Sequence, residues 1–277
     1  MGEEVKKWNT YLSIVTIINV LIMGTFYIFN RNSFDRVLMV MFILVSIFVI
    51  VCGIRSIWPR SDGQKLCLYK NKISTPIVGR SLATVAEMAF ALLIVIVTTI
   101  ILFDLKKMNI GNRTTIESIL NYNWILVILI AIAQICCWIG VITTNSIWNA
   151  LEESIWTLFG TSKLIIYSYI LYQLLQSKRN PKTTHLINFI PFMMIFMLTY
   201  IWFMVTVDVP MYISRYNNSD GKYLSFFKGI KELSNCKVVS SSLKEWKQEI
   251  PWLSLYFSVA VWISISILFW YKHYRTL

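Results

Sequence analysis

Residues 145–175 read NSIWNALEESIWTLFGTSKLIIYSYILYQLL, an apolar run that carries two adjacent carboxylates, Glu152 and Glu153, and one lysine, Lys163. Each residue of a helix advances about 100° around the axis. On that wheel Asn145, Asn149, Glu152 and Lys163 share a narrow arc, with Glu153 and Gly160 beside it. Ile147, Trp148, Leu151, Ile155, Leu158 and Phe159 fall on the opposite arc, so the segment is amphipathic. Two readings follow. In the first, one long helix spans a membrane and turns its polar stripe toward the interior of a bundle. In the second, Gly160 stops the helix, residues 146–159 lie along the membrane surface with Trp148 and Trp156 at the interface, and Lys163 snorkels at the mouth of a shorter span.

Composition sets the class around this stretch. Hydrophobic residues make up 56% of the chain and charged ones 14%, and mean hydropathy is +0.60. Soluble domains average about 45–50% apolar and about 25% charged. The expectation is an all-α, single-domain, polytopic integral membrane helical bundle with seven transmembrane helices. The spans fall at about 8–29, 37–54, 82–103, 123–144, 146–176, 186–207 and 251–271, each near the 17–25 apolar residues that a crossing needs. If the fifth run lies on the surface, six remain and the termini share a side. The first run is too long for a signal-peptide core and is read as a retained helix.

The net charge of +12 comes from bases in loops between spans. That pattern fits a lipid bilayer as partner and excludes nucleic acid. With seven spans, the face bearing the N-terminus, the 55–81 loop and the 208–250 loop holds fifteen Lys and Arg, against ten on the other. The count leans toward the first face being cytoplasmic. Cys67 and Cys236 fall on that same face and can form a disulfide if it is extracellular or lumenal. Two free thiols is the reading the sequence favours. Two glycosylation sequons, Asn112-Arg113-Thr114 and Asn217-Asn218-Ser219, lie on opposite faces, so at most one is usable.

The third span begins GRSLATVAEMAF, where Arg80, Thr84 and Glu87 follow the i, i+4, i+7 rule. Glu87 lies about 10 Å inside the start of that span. A charge toward the bilayer centre costs roughly 2.5–3.5 kcal/mol on insertion scales, so protonation, an ion pair with Arg80 or Lys163, or cavity water has to offset it. The candidate ligand- or ion-binding set is Glu87, Arg80, Glu152, Glu153, Asn149 and Lys163, of which Arg80, Glu87, Asn149, Glu152 and Glu153 are expected near one depth. The same charges also read as an ion-pair network that fixes helix positions.

Several chemistries have no support in the sequence. There is no GxSxG, HExxH, P-loop or GxGxxG motif. Five cysteines without CxxC spacing and two histidines, His185 and His273, give no metal or haem site, and no cofactor is expected. Lys163 is a poor retinal lysine, because the final span, where such a lysine belongs, has none. Three functions remain: translocation or sensing of an ion, proton or small polar ligand; a non-catalytic subunit of a membrane complex or homo-oligomer; and, with least support, a membrane-embedded lipid-modifying enzyme.

Overall fold

The structure is a computed structural model that describes residues Gly2–Leu277, and it is all-α, 80% helical. The helices are α1 (Gly2–Asn30), α2 (Arg36–Ile57), α3 (Pro76–Lys107), α4 (Arg113–Thr143), α5 (Ser146–Gln176), α6 (Pro181–Phe203), α7 (Val209–Asn217), α8 (Phe226–Glu232), α9 (Leu243–Trp246), α10 (Ile250–Ser254) and α11 (Ala260–Tyr274). A π-helical turn at Met204–Asp208 carries α6 into α7, and another at Leu255–Val259 carries α10 into α11. Three two-residue strands, β1 (Arg60–Ser61), β2 (Leu66–Cys67) and β3 (Val238–Val239), form one small sheet.

Six helical stretches are long and apolar enough to cross a membrane: Gly2–Ser33, Arg36–Ile57, Pro76–Lys107, Arg113–Thr143, Pro181–Asn217 and Ile250–Tyr274. These six make the chain a multi-pass membrane protein by composition and length. The run at 146–176 is absent from the set because Glu152, Glu153 and Lys163 interrupt it. It is nevertheless one unbroken helix, running through Gly160 without a stop. At 31 residues it is about 46 Å long. Most helices extend one to three turns beyond the apolar runs, since hydropathy reads only the stretch that lipid would cover.

The residues group into two compact units. The first contains the chain up to Phe90, Trp138–Ser146 and Asp220–Leu268. In it α1 and α2 form an antiparallel hairpin. Asn9 Nδ2 donates to the Ser56 carbonyl at 2.5 Å, and Phe26 stacks on Phe42 at the closed end. A Cβ at Gly53 would come within 2.7 Å of Thr16 Cγ2, so the missing side chain is what lets the two backbones approach. The α10–α11 helix runs parallel to α1: Trp8 Nε1 donates to Ser254 Oγ at 2.9 Å, and further along both helices Trp262 Nε1 donates to Asn19 Oδ1 at 3.1 Å. The sheet joins the α2–α3 loop to the long loop before α10. β1 pairs with β2 antiparallel, Arg60 opposite Cys67, and β2 pairs with β3 parallel, Leu66 opposite Val238. A disulfide joins Cys67 to Cys236 beside it, where the sequence favoured free thiols.

The second unit contains Ala91–Cys137, Ile147–Ser219 and Phe269–Leu277. Its core is apolar on every contributing helix, with Ile94, Leu102, Ile130, Ile170, Leu186 and Met197 all buried. Gly160 lets α5 lie close to α6, with Ile201 and Tyr200 atoms at 3.3 and 3.4 Å from where a Cβ would stand.

Candidate functional site

The polar stripe of α5 faces inward within its unit. Asn149, Glu152, Glu153, Gly160 and Lys163 are buried, while Ile147, Leu151 and Leu158 are exposed. Two aromatics differ from the wheel or the interface reading: Phe159 and Trp156 are both buried, packed edge-to-face at 5.6 Å.

Lys163 is the eighteenth of 31 helical residues, placing it about 25 Å along α5 and about 16 Å from Glu152. Its side chain is 0% exposed. The ammonium donates to Asn123 Oδ1 on α4 and, at 3.3 Å, to Thr98 Oγ1 on α3, and it stands 5.4 Å from the centroid of the Phe159 ring. Those partners are themselves fixed. Asn123 Nδ2 donates to the Val95 carbonyl at 3.0 Å and to Thr99 Oγ1 at 2.9 Å. Thr98 Oγ1 donates to the Ile94 carbonyl at 2.7 Å and lies 3.2 Å from the Tyr167 hydroxyl. Among the described residues no carboxylate pairs with Lys163; every hydrogen-bond partner is neutral. Asn149, one turn before Glu152 and Glu153, points its amide at the Cys137 sulfur, 3.8 Å away.

Arg80 and Glu87 belong to the first unit. They form an ion pair at 3.0 Å along α3, with side-chain exposures of 6% and 12%. Thr84, between them on the same face, accepts from Trp138 Nε1 at 3.0 Å. Nearby in sequence, the α2–α3 loop builds a second charged cluster. Asp62 takes Arg55 Nη2 at 3.1 Å and Arg60 Nε at 3.3 Å, and Arg60 Nη1 donates to the Ile73 carbonyl. A Cβ at Gly79 would overlap Arg60 Nε and Asp62 Oδ1, so the glycine is what admits the guanidinium against α3. Burial pulls Arg60 down to about 10, against the opposing effect of Asp62, and leaves it charged at neutral pH. Lys65, also buried, reaches Glu232 at 3.5 Å.

The six sequence-derived candidates therefore divide between the two units: Arg80 and Glu87 as a closed pair in one, and Asn149, Glu152, Glu153 and Lys163 along α5 in the other. Sequence reading missed Asn123, Tyr167, Arg55, Arg60 and Asp62. Asn123 sat at the apparent start of an apolar run and passed for a boundary residue. In the structure α4 begins ten residues earlier, at Arg113, so Asn123 lies about 15 Å into the helix. No family model matches this chain, and neither does any curated protein or solved structure.

Proposed function

We propose that this is a seven-crossing membrane protein that translocates or senses a proton or small ion, and that Lys163 is the group exchanging it. The observation that carries this reading is a lysine buried at mid-helix with neutral partners only. A charge toward the bilayer centre costs about 2.5–3.5 kcal/mol, and a chain that keeps one there without a counter-charge has a use for it. The partners suit both protonation states. Asn123 Oδ1 and Thr98 Oγ1 accept from an ammonium, and the Thr98 hydroxyl can rotate away from the Ile94 carbonyl to donate to a neutral amine.

Two observations support α5 as a crossing helix. Cys67 and Cys236 are joined covalently and lie on either side of α3, α4, α5 and the α6–α7 helix. An even number of crossings returns the chain to the same face, whereas dropping α5 would leave the two cysteines on opposite faces. Independently, α1 and the α10–α11 helix run parallel. Seven alternating crossings make the first and last parallel; six make them antiparallel. The disulfide further supports an oxidising compartment on the face of the sheet, with the opposite face, which bears residues 108–112, 177–180 and the C-terminus, in the cytoplasm.

Reconstitution into liposomes tests the function: proton and ion flux present in the wild type and lost in a folded Lys163→Met variant supports it, and flux unaffected by that change refutes it. A second reading, a non-catalytic subunit of a membrane assembly, is favoured by the buried Arg80–Glu87 pair on α3, which gives Glu87 a counter-charge with no ligand needed. Partners that copurify in mild detergent would support that reading.

A further inference from the structure

At the end of the second unit, where the loop before α6 meets the end of α11, lies a cavity of about 530 Å³. Its polar lining is Arg179, Asn180, Thr184, His185, Asn188 and His273, completed by Pro181 and Leu277, with no acidic side chain. Its floor is aromatic. The His185 ring lies parallel to Trp270 at 6.0 Å and to Tyr274 at 6.0 Å, with His273 edge-on at 4.9 Å, and Trp270 stacks on Phe189 at 3.8 Å. His185 Nε2 is buried in this floor and, among the described residues, has no hydrogen-bond partner. A polar atom so placed at the base of a cationic cavity lacks an acceptor or donor that a ligand would supply.

We infer that this cavity binds a phosphate group, and that the group belongs to an anionic phospholipid. The rim offers a guanidinium, two imidazoles, amides and a hydroxyl, a donor set that suits phosphate oxygens. The tail has a path as well. Below Asn188 on the same face of α6, Phe192, Ile195 and Leu198 are exposed at i+4, i+7 and i+10, an apolar track running from headgroup depth along the helix. A free phosphate would use the rim and leave that track bare. On the orientation proposed above, this end lies at the cytoplasmic leaflet, where anionic lipids concentrate. The inference does not depend on Lys163; it rests on α6 and α11 lying in a membrane and, for the leaflet, on the orientation proposed above.

The test is native mass spectrometry of the detergent-purified full chain with phosphatidylglycerol, phosphatidylcholine or inorganic phosphate added. Wild type is expected to retain phosphatidylglycerol about tenfold over phosphatidylcholine, from two or three basic groups at the phosphate. Arg179→Gln combined with His273→Gln, both exposed positions, should lose that preference with an unchanged melting temperature. Lys228→Gln, an exposed base in the other unit, should keep it. Inorganic phosphate that binds and is lost in the double variant, without lipid preference, would assign the site to free phosphate and overturn the lipid. Preference for neither, or preference that survives the double variant, overturns the site. None of these outcomes bears on flux through Lys163.

Discussion

Replacing Lys163 with Met separates a working lysine from a structural one, because only the structural role predicts a large loss of stability. Met has similar length and fills the same channel between α3, α4 and α5 without a charge. Removing the buried ammonium relieves about 2.5–3.5 kcal/mol of insertion cost. Against that, Asn123 Oδ1 loses its donor, and a buried orphan amide oxygen costs about 1–3 kcal/mol. Thr98 keeps its bond to the Ile94 carbonyl and its contact with Tyr167, and Asn123 Nδ2 keeps Val95 and Thr99. The net change runs from about 0.5 kcal/mol against the variant to about 2.5 kcal/mol in its favour. At about 2–4 °C per kcal/mol, melting should be unchanged or a few degrees higher. A lysine serving as a tie would instead forfeit two charge-assisted hydrogen bonds, about 1.5–3 kcal/mol each, and melt roughly 10 °C lower. The assay pairs thermal unfolding in detergent with dye-reported proton flux in liposomes at clamped potential. Lower melting by about 10 °C, or flux equal to wild type, refutes the proposed role of Lys163.

Glu87→Gln leaves Arg80 buried with a neutral partner and should lower stability by about 2 kcal/mol, read by the same thermal unfolding, with flux through Lys163 retained. Gly79→Ala forces Arg60 away from Asp62, and a cost of about 3 kcal/mol should appear as lower melting and lower expression. Reducing agent should slow the migration of wild type on denaturing gels by opening the Cys67–Cys236 loop, and should leave a Cys67→Ser/Cys236→Ser variant unmoved. In intact cells a membrane-impermeant maleimide should reach a cysteine introduced at Asp220 and miss one introduced at Asn112; the reverse pattern would invert the proposed orientation.

The apolar runs were legible because lipid selects long hydrophobic helices, and the helix ends were not, because capping turns outside lipid follow other rules. Asn180 is one such cap: its side chain accepts from the Thr183 backbone, while Thr183 Oγ1 accepts from the Asn180 backbone N–H. It starts α6 five residues before hydropathy rises. The polar stripe of α5 was legible from spacing alone, though not whether it faced inward or lay on the surface, and so was the Arg80–Glu87 alignment, since both are properties of one helix. Partners from other helices were not. Nothing local in sequence ties Asn123 to a lysine 40 positions later, and the disulfide that the parallel β2–β3 pairing sets up between Cys67 and Cys236 spans 169 residues.

Ion pairing, most of it local, removes the lean that counting loop charges gives toward the opposite orientation. The positive-inside bias acts through bases that flank spans and meet headgroups. Of the fifteen Lys and Arg on the face of the sheet, Arg55, Arg60, Lys65 and Arg80 are buried and paired with Asp62, Glu232 and Glu87. Charges neutralised inside a folded cap no longer report on a leaflet. Setting these four aside leaves eleven against ten, which is no asymmetry. The proposed orientation then rests on the disulfide, because a thiol pair on the cytoplasmic face would be held reduced.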